Sequence, residues 1–492
     1  MTVRGVTKAA VALTAMAAAL TGSGAWADTL RDALTRAYAT NPTLTGARAN
    51  LQAIDENVPI ARAGGLPNVG TTASYSSFVQ RSVNSFSAPK KAFVAGANAT
   101  MPIYQGGAVR NAIKAADARV LAGRADLQTT ELNVFASTVA AYMDVIRDTA
   151  IVDLNGGNVR VLETNLRASN DRFEVGDLTR TDVAQSQARL ELARSQLQAA
   201  QAQLDASRQN YLEIVGKFPD ALEPPPPLPA LPATTEEAVD VAITDNPALA
   251  SAKEAAHAAD YDIGQAQAQR LPKLEGFAEG QYIDYRGTLG GGIVGANFRQ
   301  HDKTATIGVR GSLPIYQGGE PGARVRQAKA RKSQALENLT ATERGVIADT
   351  RVAYSRYAAA LGVIKSSEVA VSANELALEG SKAEQGVGTR NLLDVLNAEQ
   401  ELLNSRSTLV TARRDAYVAG FTLLAAMGHA GAKDLGLDGG SLYDPTVNYK
   451  HARANFFDWD SRERPRPIAT STRAEPSVSA VVPVDKVTVP QK

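Results

Sequence analysis

The chain has 492 residues, with 52 basic and 51 acidic side chains, a formal charge of +1, four histidines and no cysteine. This composition excludes disulfides, thiolate metal sites and a cysteine nucleophile, and a near-neutral chain of this size has no electrostatic footprint for nucleic acid. His257, His301, His429 and His451 are scattered and never sit at metal-ligand spacing.

The first residues predict a secretory leader rather than part of the fold. Arg4 and Lys8 form a basic start, Ala9 to Leu20 is a short apolar run, and Ala25-Trp26-Ala27 is an A-x-A-like cleavage site. The apolar run is too short to span a bilayer. Cleavage after Ala27 delivers the chain beyond the inner membrane and takes its formal charge from +1 to −1. Without a cysteine, the mature N-terminus is expected to carry no acyl anchor. No later stretch reads as a transmembrane helix, so any membrane crossing must use strands.

Asp28 to Ala63 reads as one helix, with Leu30, Leu34, Tyr38, Leu44, Leu51 and Ile54 at helical spacing, and Leu66-Pro67 ends it. From Asn68 to Ile103 the period changes to two. The clearer strand places Phe93, Ala95, Ala97, Ala99 and Met101 on one face and Val94, Gly96, Asn98 and Thr100 on the other. Gln80–Lys91 is a Ser- and Asn-containing loop. Then Met101-Pro102-Ile103-Tyr104-Gln105-Gly106-Gly107 opens a very long helix, Ala108 to Glu174, and a return helix runs from Thr179 to Val215 after the turn at Val175-Gly176. Asn155-Gly156-Gly157 is a point where the long helix is open to distortion.

The chain then repeats itself. Leu313-Pro314-Ile315-Tyr316-Gln317-Gly318-Gly319 restates the first motif 212 residues on, and Val387-Gly388 and Asp394-Val395 restate Val175-Gly176 and Asp182-Val183 at the same offset. Asn41-Pro42 and Leu66-Pro67 return as Asn246-Pro247 and Leu271-Pro272 at an offset of 205. The second strand series, Ala305, Ile307, Val309, Gly311 and Leu313, alternates in the same register as the first. The second long helix is expected over Pro321 to Gln385 and its return over Asn391 to Met427. The return helices carry heptads: Val183, Leu190, Leu197, Leu204 and Tyr211, then Val395, Leu402, Leu409, Ala416 and Leu423, each beside a seam of Ala and Ser. A sustained seven-residue repeat means coiled-coil packing.

The domain plan is therefore a leader (1–27), a first repeat (28–217), a proline-rich linker (218–232), a second repeat (233–428), a C-terminal segment packed on the body (429–460) and a polar tail expected to be disordered (461–492). With partner strands near Asn68–Val79 and Lys273–Tyr285, each chain offers four strands. Four cannot close a barrel and open edges are not tolerated in lipid, so several chains must contribute, two giving eight strands with an interior just filled by side chains, three giving twelve with room for an aqueous bore. An enzyme reading finds no support. Gly290-x-Gly292-x-x-Gly295 lies in a loop between strands with no βαβ context, so no cofactor is expected.

These features together resemble the TolC-type outer-membrane ducts of type I secretion and multidrug efflux, over roughly Asp28 to Met427. Ala37-Tyr38-Ala39-Thr40-Asn41-Pro42, Asp55-Glu56-Asn57-Val58-Pro59 and Tyr443-Asp444-Pro445 are similar to the type I secretion branch. The resemblance implies a mainly α fold with a transmembrane β part: a homotrimer whose twelve-stranded barrel continues into a long helical coiled-coil tube. It implies passive conduction across the outer membrane of a Gram-negative envelope, with a periplasmic adaptor and an inner-membrane ABC transporter, or a proton-driven pump, as partners.

The resemblance also places Asp394 at a periplasmic entrance ring, with Asn397 where relatives often have a second acid. It places Arg390, Thr181 and Asp182 in a network that ties neighbouring coils shut, with Gln385 where relatives have an aromatic. Val175-Gly176 and Val387-Gly388 become adaptor-docking turns. From the strand alternation, Phe93, Ala95, Ala97, Ala99 and Met101 with Ala305, Ile307, Val309, Gly311 and Leu313 are expected to face outer-membrane lipid. The rival reading is a periplasmic coiled-coil scaffold or adaptor with a small soluble β-domain.

Overall fold

The computed structural model describes residues 28–80, 89–290, 298–437, 442–459 and 466–474. The leader and most of the tail lie outside the described residues, as do the middles of the two strand-connecting loops.

Where one helix was expected before the first strand there are three: α1 (Leu30–Thr40), α2 (Pro42–Asp55) and α3 (Asn57–Ala63). The physical reason is Asn41-Pro42. Proline lacks the N–H that would continue α1 but suits the first position of a new helix. Asn41 adopts an extended backbone, and its side-chain oxygen caps α2 at Thr43 N and Leu44 N. Its amide nitrogen meanwhile donates to Ile214 O at 2.9 Å. The second copy repeats this atom for atom: α6 (Thr235–Asp245) and α7 (Pro247–Ala268) meet at Asn246, which caps α7 and donates to Ala426 O at 2.8 Å. The repeated dipeptide fastens the top of each return helix to its own short-helix elbow.

Strands β1 (Asn68–Ser77), β2 (Lys91–Tyr104), β3 (Lys273–Asp284) and β4 (His301–Ser312) form one antiparallel sheet in that order. At 10 to 14 residues each is long enough to cross a bilayer. Among the described residues no helix is long and apolar enough to do so.

Below the sheet run α4 (Ala108–Glu174) and α8 (Glu320–Gly386), both 67 residues, and the 36-residue returns α5 (Arg180–Val215) and α9 (Leu392–Met427). Each long helix extends about 100 Å at 1.5 Å per residue. Asn155-Gly156-Gly157 does not break α4. The heptad positions do the packing: Leu190, Leu204 and Tyr211 are buried, and so are Val395, Leu402 and Leu423. The small seam allows close approach, with Ser186 Oγ 3.1 Å from Ser169 Oγ and Ser207 donating to buried Asp148 at 2.5 Å.

The main core lies midway along the helices, where Phe135, Val139, Tyr142, Tyr211, Phe421 and Leu423 meet. The proline-rich linker is strapped onto it rather than hanging free. Tyr142 donates to Asp28 O and Glu223 O, Tyr417 to Pro226 O and Tyr354 to Ala233 O. Burial pushes the Tyr142 and Tyr211 hydroxyls far above the ordinary phenol range, so both stay neutral. A C-terminal helix, α10 (Pro445–Ala454), lies along α2 and α3.

Candidate functional site: the helical tips and the two-faced sheet

The far ends of the two hairpins are built alike. Gly176 (φ 83°) and Gly388 (φ 80°) take the left-handed conformation that ends α4 and α8. Asp177 N–H reaches back to Arg172 O and Gly176 N–H to Phe173 O; Thr389 N–H to Glu384 O and Gly388 N–H to Gln385 O repeat the pair. These are Schellman ends, and they satisfy the last helical carbonyls. They leave Val175 80% and Val387 77% exposed at the extreme tip of the molecule.

Past each turn, an N-cap opens the return helix and an acid follows three residues later. Here the copies diverge. Thr179 caps α5 and Asp182 closes a reciprocal capping box, its Oδ2 accepting from Thr179 N at 2.9 Å and Thr179 Oγ1 at 2.7 Å. Those bonds hold the Asp182 carboxyl below its usual range. In the second copy Asn391 caps Asp394 N at 2.9 Å, but no reciprocal bond forms. The Asp394 carboxylate has no hydrogen-bond or ion-pair partner among the described residues. Of two equivalent first-turn acids, one gives an oxygen to its own helix cap and the other gives none. The helix dipole favours both, but only the first is used for local structure.

Arg390 sits beside the second turn. Its Nε lies 2.7 Å from Glu384 Oε2 and its Nη1 donates to buried Ser381 at 3.0 Å. Both partners belong to its own hairpin; within the single chain it does not meet Thr181 or Asp182. Gln385 contributes its backbone carbonyl to the turn. Asn397 accepts from Arg189 Nη2 of α5 at 2.8 Å, which links the two hairpins just inside the tip.

One tip residue escaped the sequence reading. Glu399 is 7% exposed, with Lys382 Nζ 3.0 Å away and Asn165 donating at 3.1 Å, so it joins α9, α8 and α4. The signal was present: Val395, Glu399 and Leu402 fall four and three apart, which places the acid inside the buried stripe.

At the other end of the molecule, the sheet register decides which residues share a face. Ala97 pairs with Thr71 and Gly280, and Gly280 with Ala305; Ala99 pairs with Ala278, and Ala278 with Ile307; Met101 pairs with Gly276, and Gly276 with Val309. Both apolar series therefore lie on one face of one sheet. Toward the loop end the same face carries Tyr75, Phe93 and Tyr282. The opposite face carries Asn98, Thr100, Glu275, Glu279, Thr306 and Arg310. On it, Arg310 bridges Glu275 at 3.2 Å and Glu279 at 3.8 Å. Strands this long with one apolar and one charged face suit a wall between lipid and water.

A family model described as outer membrane efflux protein matches residues 33–217 and 238–429. The outer membrane efflux protein BepC of Brucella suis is 33% identical over 438 residues, 89% of this chain and 93% of that protein. The alkaline protease secretion protein AprF of Pseudomonas aeruginosa is 27% identical over 351 residues, 70% of this chain and 68% of that protein. The solved outer membrane channel CmeC of Campylobacter jejuni shares the fold with a TM-score of 0.71 at 19% identity, over 87% of this chain and 90% of that one.

Proposed function

The chain belongs to the outer membrane efflux protein family, and from that premise we propose that it is the outer duct of a type I secretion system. Membership makes it an outer-membrane transport protein and removes the periplasmic scaffold reading. Three copies close a twelve-stranded barrel that satisfies the free edges of β1 and β4, and the helical hairpins continue it as a tube into the periplasm. The apolar face, with Ala97, Ala99, Met101, Ile307 and Val309, meets lipid. The charged face lines the bore.

The observation that carries the reading is the divergence of the two tip acids. Asp182 gives one carboxylate oxygen, Oδ2, to its cap, whereas Asp394 presents both of its oxygens free among the described residues at the end of the tube, and threefold symmetry turns it into an acidic ring. Closure uses groups left over within one chain. Asp182 Oδ1 takes no bond among the described residues, and Arg390 has Nη2 uncommitted after Glu384 and Ser381. An Arg390–Asp182 bond between neighbouring protomers draws on this spare capacity. A periplasmic adaptor docking on Val175-Gly176 and Val387-Gly388 competes with it, and an inner-membrane ABC transporter supplies the energy.

Secretion is favoured by the relation to AprF and by what the secretion-like termini do. Tyr443 N–H donates to Tyr38 at 2.9 Å, so the opening and closing motifs bind each other. The alternative, the outer component of a multidrug efflux pump, draws on the relation to BepC, described as an outer membrane efflux protein. Deleting the gene and comparing medium proteins with drug susceptibility separates them. Loss of an exported protein from the medium with unchanged susceptibility supports secretion; the reverse supports efflux. A chain recovered in the soluble periplasm contradicts both.

A further inference from the structure

The C-terminal segment climbs back toward the membrane. Its successive contacts mark its height along α4, which starts at Ala108 directly beneath the sheet. Ala432 N–H donates to Glu131 at 2.7 Å, Tyr449 lies 5.0 Å from the Arg124 guanidinium, and Tyr449 donates to Asp117 at 2.8 Å. Asp117 sits about 14 Å below the top of α4. Arg453 O then accepts from Arg62 at 3.0 Å, and the Arg62 guanidinium stacks 4.2 Å from the Phe456 ring. Arg62 precedes the first strand residue, Asn68, by six positions, a reach of at most about 20 Å. The chain thus delivers Phe456, Phe457 and Trp459 to the lower rim of the barrel.

These three aromatics have no core to enter. Phe457 is 82% and Trp459 94% exposed, on either side of the exposed Asp458, and the Arg62 guanidinium is the basic group that stacks on the adjoining Phe456 ring. Aromatic rings beside a basic side chain, at the level where a barrel meets water, are the chemistry of an interfacial lipid contact. We infer that Phe456, Phe457 and Trp459 seat in the headgroup–acyl boundary of the periplasmic leaflet, and that α10 acts as a strut transmitting this attachment to the helical tube. The occupant is phospholipid because the segment is continuous, through Arg62 and α3, with the membrane-spanning sheet. The inference needs only the outer-membrane location, not the secretion reading.

The sequence provides its own probe. The chain has two tryptophans, Trp26 in the leader and Trp459, so the processed protein has only Trp459. The purified mature protein, reconstituted in phospholipid vesicles, is examined by fluorescence. The expected result is blue-shifted emission, strong quenching by phospholipids brominated near the headgroup end of the acyl chains, and protection from iodide. In the Phe456→Ser/Phe457→Ser protein the lipid quenching should fall while the barrel still assembles. Red-shifted emission quenched by iodide and not by bromolipid overturns the inference. So does emission shielded from both, which assigns the rings to a neighbouring protomer, and so does shielding that arises only on adding the periplasmic adaptor.

Discussion

Replacing Ala97 by Arg tests the two-faced sheet where the cost is largest. Ala97 is the seventh of fourteen residues in β2, and its row consists of Thr71, Gly280 and Ala305. The row offers no acid. The nearest one on this face, Asp284, pairs with Phe93, four residues along the strand and about 13 Å away. An arginine at mid-membrane depth on a lipid-facing wall costs roughly 2–4 kcal/mol, or about 30- to 700-fold in the assembly equilibrium. The control is the next residue. Asn98 points to the opposite face and pairs with Gly70 and Glu279, so Asn98→Arg gains a carboxylate neighbour and an aqueous bore. Both proteins are expressed at matched levels, and the fraction resisting urea extraction from outer membranes is measured. Ala97→Arg should be depleted and Asn98→Arg should match the parent. Equal recovery, or depletion of Asn98→Arg alone, would refute the assigned face.

Asp394→Ala should lower cation selectivity in planar bilayers. In a bore of about 5 Å radius each carboxylate attracts an axial monovalent cation by about 0.8 kcal/mol, so loss of three should give a several-fold change after salt screening; unchanged selectivity would leave Asp394 a helix-end acid. Arg390→Ser removes the proposed charge-assisted bond to the neighbouring protomer and should raise resting conductance without an adaptor, as should Asp182→Ala. Two variants conducting like the parent would place closure elsewhere. The Asp182 carboxyl is held low by Thr179, so the cap is fully formed above the ordinary carboxylate value of about 3.9 and is lost as pH falls through its lowered value. Amide exchange at Thr179 N–H, which donates to Asp182 Oδ2, should therefore stay protected through mildly acidic pH, and early loss would contradict the assigned box.

Much of this architecture was legible because the chain states it twice. The strand alternation, the heptads and the turn glycines each recur at a fixed offset, and the ends of α4, α5, α8 and α9 fall within a residue of where the repeats place them. Asn41-Pro42 marks the break of the first helix, but the apolar spacing continues across the proline and hides it. The role of Asn41 as a bolt to Ile214 O depends on a contact 173 residues away, which local pattern does not encode. The tip is the harder case. Asp182 and Asp394 look equivalent in sequence; only the exchange of Thr179 for Asn391 at the cap separates an acid bonded to its cap from a free one. Glu399 was readable by heptad phase, but its partners Lys382 and Asn165 lie on two other helices.

The central claim is that the four strands of one chain make a third of a wall. The mass of the purified, detergent-solubilised protein, determined by native mass spectrometry after release from the micelle, tests it most directly. The account predicts a single species of three chains. A stable monomer or dimer that retains full channel activity would contradict it, because four or eight strands cannot enclose this bore.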